Sequence, residues 1–174
     1  MTNPKRLLVM VVVLLLIGVG AFFVFYNEGS DKLEVIFLDI GQGDSILIKT
    51  PYNQQVLIDG GPDNSVLTKL GKFMPFWDRS IDLIILTHPH SDHVGGLIAV
   101  LDRYEVNNIL YTGVLDTSLE YLTWLKKIKE KNIPLKVIKR GDRINLGQNL
   151  YLDTLFPFYD LTDQRSDDLN STSI

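Results

Sequence analysis

The three histidines of this chain all lie within six residues, at positions 88, 90 and 93. They follow Leu83–Leu86, a continuous apolar run that predicts a buried strand, and a helical pattern begins after them. In an extended segment His88 and His90 project to the same side and can hold one ion, and a turn can bring Asp92 and His93 to a second. Imidazole and carboxylate groups bind borderline divalent metals. The cluster therefore predicts an α/β fold with a metal site at the carboxyl end of a strand.

The spacing of the cluster also carries a family resemblance. The pattern His88-x-His90-x-Asp92-His93 resembles the signature of the metallo-β-lactamase superfamily of hydrolases. Leu57–Gly61 is similar to the first acidic motif of that superfamily. The resemblance implies the N-terminal part of an αββα fold.

Two further segments resemble a subgroup of the superfamily. Val35–Ser45 is similar to the opening hairpin of the extracytoplasmic domain in ComEC-type competence proteins. Asn170–Ser173 resembles an Asn-rich, Ser-containing segment that precedes a later strand in that group. The resemblance covers about residues 33–174, as the spread of these motifs shows.

The residue types in the cluster suggest separate roles. Asp92 is the candidate general base, which would hold or deprotonate the attacking water. His88, His90 and His93 would be neutral ligands, each with a second ring nitrogen that needs a partner. Asp59, at a strand end before two glycines, is the carboxylate expected to provide such a partner in catalysis. A turn or a helix cap is the alternative role for Asp59.

Supporting residues are expected in the turn 41–44 and near the end of the chain. Gln42 and Asp44 would contact substrate or the metal ligands from a turn folded over the crevice. An ordinary hairpin turn explains the same glycines and aspartate equally well. Asn170 and Ser173 complete this set of predicted supporting residues.

The cofactor expected from these side chains is divalent metal, with two ions in a complete site. A histidine-rich ligand set favours zinc, and a carboxylate-rich one favours manganese. In the superfamily, a bridging aspartate and a further histidine come from downstream segments, and this chain has no other histidine. The resemblance therefore implies a domain that is incomplete at its C-terminus, with weak metal binding and negligible turnover by residues 1–174 alone.

The N-terminal segment predicts a membrane anchor. Leu7–Phe25 carries no charge and is long enough to cross a bilayer as a helix. Lys5 and Arg6 precede it, which places residues 1–6 in the cytoplasm and the rest outside. Residues 26–32 then form a polar linker, and 33–174 form the domain. A cleaved signal peptide is the alternative, although the apolar run is longer than a usual signal core.

Composition sets further bounds on the chain. Its 174 residues suffice for one domain with a core, and the absence of cysteine excludes disulfides and cysteine-ligated zinc. A basic stretch could line a nucleic-acid groove, but its spacing and the net charge of −4 favour a solvated helix face. The stretch comprises Lys126, Lys127, Lys129, Lys131, Lys136, Lys139, Arg140 and Arg143.

The order of predicted elements indicates antiparallel hairpins followed by β-α-β units, which gives a mixed sheet with helices on one face. The predicted strands are Leu33–Asp39, Ser45–Thr50, Val56–Asp59, Asp82–Thr87, Ile109–Thr112, Leu135–Ile138, Ile144–Leu146 and Leu150–Leu155. The predicted helices are 64–74 with Asn64 as cap, 94–104, and one opened by a capping box at Thr117–Glu120 with Leu119, Leu122, Trp124, Leu125 and Ile128 as apolar positions.

Two functions remain open from the sequence. The first is a membrane-anchored, extracytoplasmic metal-dependent hydrolase that acts on a phosphodiester, and the resemblance implies a nuclease related to DNA uptake. Nucleic acid or another phosphodiester compound would then be the partner, and the oligomeric state is not readable. The second is a metal-binding or interaction module that keeps the fold without turnover.

Overall fold

The computed structural model describes residues 4–26 and 32–162. Its helices are α1 (Pro4–Tyr26), α2 (Ser65–Phe73), α3 (Ser91–Arg103) and α4 (Leu119–Lys131). Its strands are β1 (Glu34–Phe37), β2 (Ile46–Lys49), β3 (Gln55–Ile58), β4 (Ser80–Leu86), β5 (Glu105–Tyr111), β6 (Leu135–Val137), β7 (Arg143–Asn145) and β8 (Tyr151–Asp153).

Six strands form one mixed sheet whose order is the order of the chain, β1 to β6. β1, β2 and β3 pair antiparallel, and β3 to β6 pair parallel. β7 and β8 form a separate antiparallel hairpin. The predicted mixed α/β sheet is confirmed, and the carboxyl ends of β3, β4 and β5 lie along one edge of it.

The two faces of the sheet are covered differently. The three crossover helices α2, α3 and α4 all bury their apolar residues on one face, in a cluster that includes Leu70, Leu97 and Trp124. The β7–β8 hairpin covers part of the other face, where Leu146 packs with Ile85 and neighbouring residues. The predicted position of the helices on a single face is confirmed. The crossovers all run in one direction along the sheet, and right-handed crossovers in one direction place their helices on the same side.

Helix α3 begins earlier than the sequence pattern predicts. It starts at Ser91 rather than 94, because His90 is the N-cap residue and its carbonyl oxygen accepts hydrogen bonds from the backbone of His93 and Val94. Asp92 and His93 therefore lie in the first helical turn and not in a turn before the helix. The helix itself fixes their direction.

Two details of the later elements also differ from prediction. The side chain that caps α4 is Ser118, which accepts from the backbone N–H of Tyr121, so the capping box at Thr117 is wrong by one residue. Leu119 and Leu122 are exposed, whereas Trp124 and Ile128 are buried as predicted.

The buried face of α4 is formed by Tyr121, Trp124 and Ile128, which share one side of the helix. Strand β5 starts at Glu105 and not at 109, because the preceding residues pair with β4 from Ser80 onwards. Asn64 precedes α2 without a side-chain capping bond, and Asp63 instead accepts from the backbone N–H of Ser65.

Helix α1 is the apolar helix that the N-terminal segment predicts. Every described side chain from Pro4 to Phe22 is exposed, and this stretch is long and apolar enough to cross a membrane. A signal sequence near the N-terminus can meet the same criteria of length and hydropathy, so this feature leaves the choice between anchor and signal open.

Candidate metal centre

The predicted site residues meet at the carboxyl ends of β3 and β4. Asp59 follows β3, His88 follows β4, and His93 lies in the first turn of α3. The imidazole rings of His88 and His93 have centroids 3.9 Å apart, and those of His88 and His90 are 4.9 Å apart. The sheet therefore brings Asp59 and His93, which are 34 positions apart in the chain, into direct contact.

Asp59 is the buried centre of this cluster. Its Oδ1 accepts the backbone N–H of Thr87 at 2.8 Å, and its Oδ2 accepts the Thr87 hydroxyl at 2.6 Å. The same Oδ2 lies 2.8 Å from Nδ1 of His93. The residue is 1% exposed and has a positive φ of 56°, so the end of β3 turns its carboxylate inward. Its predicted place beside a histidine ring nitrogen agrees with this geometry.

These bonds determine which nitrogen of each histidine carries a proton. The hydroxyl hydrogen of Thr87 is donated to Asp59, so its oxygen is left to accept from Nδ1–H of His88, 3.0 Å away. A carboxylate only accepts, so His93 likewise donates from Nδ1 to Asp59. Both rings therefore keep the lone pair on Nε2, the atom that binds a metal when Nδ1 is held in this way.

His90 and Asp92 occupy the more exposed side of the cluster. His90 is half-buried at the N-cap of α3. The Asp92 carboxylate is 27% exposed, with Oδ1 3.9 Å from Nε2 of His93. Gln42 donates to the other oxygen of Asp92 across 3.4 Å. A half-exposed carboxylate beside a ring nitrogen can meet water, as a general base must.

The turn 41–44 packs against this helix end. Gly43 has a φ of +85°, and a Cβ added there would overlap the backbone carbonyl oxygen of Asp92. The backbone oxygen of Asp44 accepts from the N–H of Gly61, which holds the turn beside the end of β3. The hairpin turn and the metal cluster are thus one packed unit, with Gln42 and Asp44 exposed at its rim.

The environment shifts the pKa values of the two buried histidines, His88 and His93, in opposite directions. Burial lowers the pKa of His88, and the neighbouring ring of His93 lowers it further. Burial also disfavours charge on His93, but the hydrogen bond and the negative charge of Asp59 outweigh it and raise its pKa. The charges of Asp92 and Asp44 act in the same direction on His93. His88 is therefore the ring kept neutral by its surroundings.

The donor chemistry of the cluster fits a divalent cation. Nε2 of His88 is buried and has no hydrogen-bond partner, which is costly unless something binds it. Within residues 4–26 and 32–162, however, no group of three or more histidine, aspartate or glutamate side chains is placed to hold one ion. The residues described here fit as part of a metal-ligand set, and their assignment as ligands stays a prediction.

Comparison with known families agrees with this arrangement. The sequence profile of the metallo-β-lactamase superfamily matches residues 38–168, which include every site residue described above. The chain belongs to the metallo-β-lactamase superfamily. Members of this superfamily are generally metal-dependent hydrolases, and the ion is often zinc.

The relatives of this superfamily member include a competence protein. ComE operon protein 3 of Bacillus subtilis (strain 168) is 28% identical over 145 residues, with 74% of this chain and 19% of that protein covered. This chain thus spans about a fifth of the length of that relative. The match supports the relationship to ComEC-type competence proteins.

Two solved structures match this chain at lower sequence identity. Rm3 metallo-β-lactamase is 20% identical with a TM-score of 0.47, and 68% of this chain and 47% of that one are covered. A diphosphatase from the PhnP family is 19% identical with a TM-score of 0.40, and 59% and 39% are covered.

Among the described residues, Thr87 is a buried site residue that sequence reasoning missed. Its hydroxyl links Asp59 to His88, and no motif or periodicity marks a threonine as such a link. Its position directly before the first histidine is the only signal available in the sequence. Asn170 and Ser173 lie outside the described residues, so their predicted supporting role stays a prediction.

Proposed function

We propose that this chain is a membrane-anchored, extracytoplasmic, metal-dependent hydrolase that cleaves phosphodiester bonds. The observation that carries the proposal is the buried, unpartnered Nε2 of His88, held in its tautomer by Thr87 and Asp59. A buried imidazole is oriented in this way at the cost of its own hydration, and a bound cation offsets that cost.

His88, His90, Asp92 and His93 are the residues we assign to the metal ions. A divalent ion bound there would polarise the phosphoryl group and make water a nucleophile near neutral pH. Zinc suits the three imidazoles, and manganese is the alternative. Burial keeps His88 neutral and ready to bind, since it lowers the pKa of that ring.

The remaining chemistry belongs to side chains of this chain. Asp92 is half-exposed and would accept the proton of the attacking water at one carboxylate oxygen. Gln42, which donates to the other oxygen, would keep that carboxylate in position. Asp59 would act through His93 and Thr87 and would not touch the substrate, because it is 1% exposed.

The proposed substrate class rests on the relationship to competence proteins. ComEC-type relatives suggest a nucleic-acid strand, and a nuclease would be one form of phosphodiesterase. The proposed orientation rests on Lys5 and Arg6, which precede the apolar stretch of α1 and favour a cytoplasmic N-terminus.

The test is metal content and turnover of the purified chain in a detergent micelle or nanodisc. Residues 1–174 alone should bind metal weakly with negligible turnover, and we expect bound zinc or manganese after dialysis, with hydrolysis of bis(p-nitrophenyl) phosphate and single-stranded DNA, once the downstream ligands of the superfamily are supplied. His88→Ala should lose metal, whereas Asp92→Asn should lose turnover and keep most of the metal. Asp39→Asn is the matched control, since this aspartate is exposed and pairs only with Lys69 among the described residues.

The same measurements decide between the two functions. Metal that binds stoichiometrically without hydrolysis of either substrate would favour a non-catalytic metal-binding module. A chain that binds neither zinc nor manganese would contradict the assignment of the cluster itself.

A further inference from the structure

An exposed aromatic segment lies at the end of the sheet opposite the candidate metal centre. It comprises residues 73–79, named here the aromatic loop, and connects α2 to β4. Phe76 is 79% exposed, Trp77 is 49% exposed and Phe73 is 41% exposed. The rings of Phe76 and Trp77 meet edge to face with centroids 4.7 Å apart. Aromatic side chains this exposed indicate a surface that contacts something other than water.

The aromatic loop lies at the same end of the sheet at which the chain arrives from α1. Glu34 begins β1 and pairs with Lys49, which in turn pairs with Gln55 at the start of β3. The Gln55 side chain donates to the carboxylate of Asp78 in the aromatic loop at 2.9 Å. The start of β1 and the aromatic loop are therefore in one row, separated by about 14 Å, three strand spacings.

The connection from α1 to β1 is too short to leave that end free. The eight peptide steps from Tyr26 to Glu34 span about 28 Å at full extension. If α1 crosses a bilayer, the start of β1 stays within that distance of the headgroups. The aromatic loop, at the same end of the sheet, can then reach the same surface.

We propose that the aromatic loop inserts into the outer headgroup region of the membrane that α1 spans, as a second attachment of the domain. The proposal rests on the membrane anchoring proposed above. Trp is favoured at this depth because its ring is largely apolar while its N–H stays close to water, and Phe adds apolar area.

The charges around the aromatic loop suit an anionic lipid surface. Lys72 directly precedes it, Arg79 is its last residue, and both are exposed. Arg79 lies over the ring of Tyr104 at 5.6 Å, which keeps its side chain along the domain surface. The one carboxylate within the loop, Asp78, accepts from Gln55 and from Ser80, so its charge is turned toward the sheet. Basic side chains near the surface add attraction to anionic headgroups.

This attachment would orient the candidate metal centre. Strand β4 runs from Ser80 beside the aromatic loop to Leu86 beside the histidines. Its seven residues place the histidine cluster about 20 Å farther from the headgroups. The site would open to the aqueous phase, which suits a soluble or polymeric phosphodiester rather than a lipid headgroup.

The chain carries its own probe for this contact. Its two tryptophans are Trp77 in the aromatic loop and Trp124, which is 0% exposed in the core. We would reconstitute the full chain into phosphatidylcholine–phosphatidylglycerol vesicles that contain lipids brominated at a shallow or a deep acyl position. The wild type and Trp77→Phe both keep Trp124, so the difference between them is the emission of Trp77 alone.

The expected result is that Trp77 loses the larger part of its emission to the brominated lipids, more to shallow than to deep bromine. Trp77→Phe should show almost no quenching. Flotation of the same vesicles tests the anchor separately. If the chain floats with the vesicles but Trp77 is unquenched, the anchor stands and the second attachment is wrong, including the case in which a second protein copy covers the loop. If the chain does not float, the proposed anchor fails and this inference fails with it.

Discussion

At the residue scale, one carboxylate organises the candidate metal centre. Asp59 accepts three hydrogen bonds from Thr87 and His93, and through them it sets the tautomer of two rings. Hydrogen bonds also fix the backbone of Asp59. Its carbonyl oxygen accepts from the Ser45 hydroxyl, and its N–H donates to the carbonyl oxygen of Ile85. Loss of this side chain is therefore expected to disturb folding and, with it, the proposed metal binding.

Asp59→Asn should destabilise the domain and weaken metal binding together. The amide cannot accept at both positions, so one buried donor is left without a partner, at a cost of about 1–3 kcal/mol in the free energy of unfolding. The apparent affinity for zinc should fall by roughly 10–100-fold, as expected when the partner of a ligating histidine is lost. Urea denaturation and zinc titration of the full chain measure both effects.

The control is the same substitution at Asp39, whose side chain is 92% exposed. Asp39→Asn should leave the unfolding midpoint and the zinc titration almost unchanged. Equal behaviour of the two variants would show that Asp59 has no special role.

The turn beside the site offers a matched pair of glycines. Gly41 and Gly43 both have positive φ, at +82° and +85°, but only Gly43 is packed against Asp92. Gly41→Ala should cost about 1–2 kcal/mol from backbone strain alone. Gly43→Ala adds the overlap with the Asp92 carbonyl, a further ~1–3 kcal/mol. Denaturant unfolding of both variants checks the difference, and equal losses would mean that the turn does not pack on α3.

At the scale of elements, the start of α4 illustrates how a small shift changes the buried face. Ser118, and not Thr117, is the residue whose oxygen accepts from the first helical turn. Tyr121 is then directed into the core, where its hydroxyl donates to the carbonyl oxygen of Val114. Burial raises the pKa of this phenol far above its ordinary value.

Ser118→Ala should cost about 1 kcal/mol, as loss of an N-cap usually does. Thr117→Ala, one residue earlier, should change stability by no more than about 0.5 kcal/mol, since it supplies no cap. Thermal unfolding of the two variants measures this difference. A larger loss at Thr117 would instead support the capping box predicted from the sequence.

At the scale of the whole molecule, the two proposed sites lie at opposite ends of the sheet. The carboxyl ends of β3 and β4 carry the histidine cluster, and their opposite ends carry the aromatic loop and the connection to α1. The described side chains of α1 are exposed from Pro4 to Phe22, and the anchor proposed above would place this apolar surface in a bilayer.

The proposed topology predicts protease sensitivity from outside the cell. Trypsin added to intact spheroplasts should cleave the domain beyond residue 32 and leave the stretch around α1 with the membrane. Lys126 and Lys129 are among the exposed cleavage sites on α4. The sample needs an external protein that is degraded and a cytoplasmic one that survives. Full protection of the domain in such a sample would reverse the orientation.

Much of the fold was predictable because its signals are local. The apolar run before His88 marked β4, the alternation of strands and helices marked the mixed sheet, and the length of the apolar segment marked α1. Boundaries were less predictable. The start of α3 at Ser91 depends on the extended backbone at His90, and the start of β5 depends on pairing with β4.

The residue types of the site and their spacing can be recognised from the sequence, because they lie in one short segment that follows one strand. These residues are His88, His90, Asp92 and His93. The tertiary structure is what places the proton of both buried rings on Nδ1, because Asp59 from the neighbouring strand accepts from the Thr87 hydroxyl and from His93. The physical reason is that these hydrogen bonds join the ends of two neighbouring parallel strands, so their partners meet only when the two strands are aligned in register. That alignment comes from packing across the whole sheet and has no local signal in the sequence.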